Sequence, residues 1–246
     1  MSDRRTQGAM LVLVGAIALW LGLSEAALAY VRPGLRPPLA ASGLALLLLG
    51  LVALLRRPAG ATDGHTHAHG EQGPRSAWLL LLPVLVLVLV TPPALGSYAA
   101  SRQPPGTGGG SASEFPPLPE PVDGAVPLLV SEFVARAQHD HKRSLEGQRV
   151  RLVGFVIPDQ DGSHQYQLAR FVLACCAADA EAYTVRIRGD ASPRQADQWL
   201  LVEGRWLPQP VPEQASPSAT PPVLVADSVT AIRPPPNRYE NTVLPY

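Results

Sequence analysis

The chain is poor in cysteine, poor in aromatic residues and without an excess of either charge. Its only two cysteines, Cys175 and Cys176, are neighbours in "RFVLACCAADA". Consecutive Cα atoms lie about 3.8 Å apart, below the roughly 4.4 to 6.8 Å of ordinary disulfides, so a bond between them would be strained and a structural staple is not expected. Lysine plus arginine and aspartate plus glutamate each number 20 in 246 residues, and from Leu128 onward the balance is 12 to 13. A nucleic-acid site needs a concentrated basic face, and this tail has none, so nucleic-acid binding is not expected. Also missing are a serine nucleophile motif, a Walker loop, a dinucleotide fingerprint and a helical pair of acidic residues at metal spacing. Only a cysteine working with a histidine would support an enzyme, and the chain is read as non-enzymatic.

What is plentiful is aliphatic sequence at the front. "GAMLVLVGAIALWLGL", "LAASGLALLLLGLVALL" and "AWLLLLPVLVLVLV" are free of charge and, with their flanks, approach the ~20 residues that span a bilayer core. Lipid obliges the backbone to satisfy its own hydrogen bonds, which makes such segments helices. Three transmembrane helices are therefore expected, at about 8–29, 38–55 and 77–97, within a membrane region 1–98, with Pro83 bending the third. "RR", an apolar run and "AALA" also fit a signal peptide cleaved after Ala29. Arg4, Arg5, Arg56, Arg57 and Arg75 on one side outweigh Arg32 and Arg36 on the other. That bias favours a cytoplasmic N terminus and an extracytoplasmic C-terminal part in a multi-pass protein of the cell membrane. Apart from Glu25 near a boundary, the three runs contain no charge, so a pore formed by this chain alone is not expected.

Residues 99–127, dense in Pro, Gly and Ser, read as a linker. From 128 to 246 the pattern is a short helix, N-capped by Ser131, followed by five strands at 149–157, 165–174, 182–188, 198–207 and 223–232. Val150, Leu152, Gly154 and Val156 share one face of the first. Gly154 and Gly204 sit mid-strand, where glycine marks a bulge or bend that lets a short sheet curl. The expectation is a small all-β domain, an OB-like five-stranded barrel, with an open sandwich as the alternative.

"LEGQRVRLVGFV", "ARFVLACCAADA", "DQWLLVEGRW" and "IRPPPNRYE" resemble the C-terminal region of the YcgQ-type family of permease subunits, uncharacterised membrane proteins with a soluble β tail. The resemblance extends to the membrane half, and its sharpest motif falls on Arg170, Phe171, Cys176, Ala178 and Asp179. It implies work beside a larger polytopic permease and a link to metal supply. The histidine-poor loop and the proline-rich linker depart from that pattern.

Two clusters carry candidate chemistry. Cys175, Cys176 and Asp179, with a histidine from "HDH" (139–141) or His164, would make a tetrahedral shell for zinc or a similar ion if the strand ends near Ala174 and the chain turns. Against this stand packing, with a cysteine as a small buried hydrophobe, and thiol redox chemistry, with Arg170 lowering a thiol pKa. Arg170 is either an arginine on a solvated strand face or the partner of Asp179. The second cluster is His65, His67 and His69 in "DGHTHAHGE", a flexible loop able to wrap a metal ion, or a plain polar loop. The function expected is an accessory permease subunit, with a membrane-tethered thiol oxidoreductase and a metal-buffering protein without a permease partner as alternatives.

Overall fold

A computed structural model describes residues 2–55, 94–106, 115–159, 165–209 and 220–240. The chain divides into two compact units, Met1–Pro93 and Ala94–Tyr246.

In the first unit, α1 (Ser2–Leu23) and α2 (Arg36–Leu55) are joined by two 3-10 turns, Glu25–Ala29 and Pro33–Leu35. Ala and Leu dominate both helices, the residue types that lose least on entering one. Both are long and apolar enough to cross a membrane, with mean hydropathy 1.8 over Thr6–Leu23 and 2.4 over Pro33–Leu55. They pack antiparallel through glycines spaced seven residues apart, Gly8, Gly15 and Gly22 on α1 and Gly43 and Gly50 on α2. A Cβ at Gly15 would stand 2.5 Å from the Leu47 amide nitrogen, one at Gly22 would stand 2.8 Å from that of Ala40, and one at Gly43 would collide with that of Leu19. Small residues at such spacing let two helix backbones touch. Arg36 closes the turn by donating to the carbonyls of Gly22, Leu23 and Ser24 at 3.4, 3.3 and 3.1 Å, where the α1 carbonyls have no helical partner.

The third expected helix falls at 77–93 outside the described residues. Its expected end is different: Ala94, Leu95 and Gly96 are not helical, and a separate four-residue helix, α3 (Ser97–Ala100), belongs to the second unit.

The second unit contains a seven-stranded sheet: β1 (Val126–Pro127), β2 (Arg149–Pro158), β3 (Tyr166–Val172), β4 (Glu181–Arg188), β5 (Trp199–Leu207), β6 (Val223–Ala231) and β7 (Tyr239–Glu240), with one helix, α4 (Val130–His139), between β1 and β2. The five long strands match the five read from the sequence within a few residues. The two short ones were not foreseen, and each adds in parallel, β1 to β2 and β7 to β3. β2 pairs antiparallel with β5 over Arg149–Phe155 and with β3 over Phe155–Pro158. β3 pairs antiparallel with β4, β4 parallel with β6, and β6 antiparallel with β5, so the pairings starting from β2 return to it. The register of β5 on β6 slips between Glu203 and Gly204, where a side chain in place of glycine would strike the Val225 carbonyl. Gly154 answers a similar crowding, a Cβ there lying 2.7 Å from the Ala169 carbonyl oxygen.

Two apolar clusters follow from strand alternation. On one face Val150, Leu152 and Val156 pack with Val185, Ile187, Leu200, Val202 and Leu224, covered by Phe133 and Val134 of α4. On the other, Phe155, Ala169, Phe171, Ala182, Trp199 and Tyr239 pack with Ala94, Leu95, Ala99 and Ala100. Residues that composition assigned to the end of a span and to a linker thus lie on the sheet. The Ser97 amide donates to Asp197 at 2.5 Å, that of Leu95 to the Tyr239 hydroxyl at 3.2 Å, and that of Gly106 to the Ala182 carbonyl at 2.7 Å. Proline and glycine content reports a lack of helix and strand period; small apolar side chains beside it can still pack.

Candidate functional site

β3 stops at Val172, and the chain turns through 173–176 into a 3-10 turn, Ala177–Asp179, before β4. This is the break in the strand that a shared site for both sulfurs requires. Asp179 organises it. Its carboxylate accepts the amides of Ala174 at 3.0 Å, Cys175 at 2.8 Å and Cys176 at 3.3 Å to each oxygen, while the Cys176 sulfur accepts the Asp179 amide in return. The potential ligand atoms of Cys175, Cys176 and Asp179 all lie within 4.8 Å of one another, Cys175 and Asp179 exposed and Cys176 half-buried. Both cysteines are free thiols.

The Cys175 thiol is pushed up to about 12, first by its hydrogen bond to Asp179 and then by that to Cys176. Reciprocally, that thiol hydrogen bond, helped by the three amides, holds the Asp179 carboxyl below its usual range. The loop as folded favours a protonated Cys175, the opposite of an activated thiolate.

Arg170 and Phe171 have different surroundings. Arg170 is neither on a solvated face nor the partner of Asp179: it is 2% exposed, lies 4.9 Å above the Trp199 ring and donates to the Tyr239 carbonyl at 3.0 Å. Its charge acts on Glu240, which is buried beside it on β7 and accepts the amides of Val130 at 2.5 Å and Ser131 at 3.0 Å. Ser131 is therefore not the cap of α4. Leu129 occupies that position without a capping side chain, and Glu240, 109 residues or more away in sequence, supplies the carboxylate at the positive end of the helix. Burial pushes the Glu240 carboxyl up, and Arg170 with the two amides opposes the shift. Phe171 is fully buried, stacked on Phe155 at 5.8 Å and edge-on to Tyr239 at 6.5 Å. Sequence reasoning missed Glu240 and Tyr239; the only signal was their place in the tail "IRPPPNRYE".

His65, His67, His69 and His164 lie outside the described residues. His139 ends α4 and His141 follows it, and among the described residues no histidine joins the Cys175, Cys176 and Asp179 cluster.

With this geometry in place, comparison with known proteins locates the region. Residues 134–240 match the family model of the DUF1980 C-terminal domain. It is an uncharacterised family, compatible with the resemblance drawn from the motifs. The matched stretch runs from the middle of α4 to Glu240, and so takes in β2 to β7, the cysteine loop and the buried Arg170 and Glu240 pair. No curated protein and no solved structure matches the chain.

Proposed function

We propose that this chain is a non-enzymatic, membrane-anchored accessory subunit of a two-component permease, whose DUF1980 region is an OB-like barrel outside the cytoplasm that offers the Cys175–Asp179 loop to a metal ion handled by the partner. The front of the chain supports anchoring through two helices of spanning length, compatible with a membrane-associated protein. The strand circuit β2, β5, β6, β4, β3 and back to β2, with its glycine bulge, supports the barrel. The observation that carries the reading is the division within one motif. Arg170 and Phe171 are committed to the core, whereas Cys175, Cys176 and Asp179 converge on an exposed loop. One exposed and one half-buried thiol with a carboxylate suit a soft or borderline cation.

Thiol redox catalysis draws no support from a Cys175 held protonated by Asp179. The test is affinity purification of the tagged full-length protein from membranes, with elemental analysis of wild type and of Cys175→Ser and Cys176→Ser. Co-purification of a polytopic membrane protein, with metal lost in both variants, is the expected result. Metal without a partner would indicate a buffering protein, and a partner without metal would leave only a docking role. An impermeant maleimide that fails to label Cys175 in intact cells, while labelling it after permeabilisation, would refute the outward orientation.

A further inference from the structure

Zinc sites use four ligands, or three and a water. The loop offers three side chains, and one of them, Asp179, is already held by backbone amides. We infer that Cys175 and Cys176 form a two-coordinate site for a soft monovalent cation of the Cu(I) class, an inference that rests on the metal-handling reading above.

Three side chains converge, but the carboxylate is already occupied. Both Asp179 oxygens accept amide hydrogens, from Ala174, Cys175 and Cys176, and these bonds shape the turn that brings the sulfurs together. A metal at Asp179 would compete with the amide hydrogen bonds that shape the turn. Among the described residues no imidazole stands close enough to replace it. Two sulfurs remain, on adjacent residues, within 4.8 Å of each other and reachable from solvent.

Two thiolates suit a soft cation, and a pair with no further ligand suits the low coordination number that Cu(I) accepts. At ~2.3 Å per metal–sulfur bond, two sulfurs on opposite sides of an ion stand about 4.6 Å apart, and a tetrahedral pair about 3.8 Å. The sulfurs lie within 4.8 Å of each other, a limit that admits either separation. The balance is simple: each S–H bond breaks, two protons leave to solvent, two metal–sulfur bonds form, and no electron is transferred. Asp179 keeps its amides and loses only the thiol hydrogen bond from Cys175.

The experiment uses full-length protein in detergent, with His65, His67 and His69 replaced by glutamine to remove the other imidazole cluster. Cu(I) is offered anaerobically from a chromophoric chelator, and Zn²⁺ separately from its own. The expected result is one Cu(I) per chain, with thiolate-to-copper absorption in the near ultraviolet and two sulfur neighbours by X-ray absorption. Zinc should be held at least roughly tenfold more weakly. Cys175→Ser and Cys176→Ser should each abolish copper binding while leaving the tryptophan fluorescence melt unchanged. Zinc bound at one per chain, dependent on both cysteines and lost in Asp179→Asn, would overturn the two-sulfur site and leave the metal-handling function standing. Copper retained in both cysteine variants would also overturn it, and retention of neither metal would remove the function as well.

Discussion

Replacing Arg170 with methionine is the most informative single perturbation of the folded domain. Arg170 is 2% exposed, and nearby Glu240 is 4% exposed. Methionine fills similar volume and can still lie over Trp199, so packing loss is small and the main effect is electrostatic. Arg170 is the charge that offsets the desolvation of Glu240, and removing the compensating charge from a buried carboxylate costs up to about 3 to 5 kcal/mol, the range for a close buried ion pair. Glu240 retains the amides of Val130 and Ser131, which holds the expected cost near the lower end, about 3 kcal/mol. The pH dependence has a definite sign. Burial already raises the Glu240 carboxyl, and losing the Arg170 charge that opposes this raises it further. An acid whose folded pKa is raised loses stability as pH climbs from its unfolded value through its folded one. The variant should therefore differ most from wild type at neutral pH and least below about pH 4. Urea unfolding of the full-length protein in detergent, followed by tryptophan fluorescence, measures both, and Arg170→Met with Glu240→Gln closes the double-mutant cycle with part of the loss recovered. A cost under about 1 kcal/mol, or a difference flat with pH, would refute the account of this pair.

The remaining predictions concern other parts of the molecule. Gly43→Val should lower the thermal midpoint of the detergent-solubilised protein, because a Cβ there meets the α1 backbone, while Gly34→Ala, with nothing within 4 Å, should leave it unchanged. Thr184 is 5% exposed, and among the described residues its buried hydroxyl has no hydrogen-bond partner, so Thr184→Val should be neutral or stabilising by up to about 1 kcal/mol in the same urea assay. Asp179→Asn should let the Cys175 thiol fall from about 12 toward its ordinary value. Its alkylation at about pH 8 should then accelerate roughly tenfold or more by mass-spectrometric labelling.

The strands were legible because each carries its own period: Val150, Leu152 and Val156 alternate with Arg149 and Arg151 whatever the rest of the chain does. The bulge was legible for a related reason, since a glycine inside a strand pattern marks a bulge or a close backbone approach. Contacts that join distant residues were not legible. The cap of α4 comes from Glu240, and nothing in "LVSEFVARAQ" discloses that its first amides are satisfied from the far end of the domain. Arg170 was misjudged on the same grounds. Its neighbours on β3 do not reveal that β7 adds beside them in parallel, pairing Phe171 with Tyr239, and brings a carboxylate alongside.

The resemblance motif shows how one run of residues can serve two ends. From Arg170 to Leu173 it is core: Arg170 and Phe171 meet β7, and Leu173 joins the second apolar cluster. From Ala174 to Asp179 it is a loop whose internal hydrogen bonds are local, within five residues of one another. The first part ends β3 at Val172, and the second is built on that end. Arg170→Met should accordingly loosen the loop as well as the core. Alkylation of Cys176, half-buried in the folded loop, reports this directly: its rate should rise in the variant under conditions where the domain remains folded. An unchanged rate would mean that Asp179 holds the loop without help from the pair beneath it.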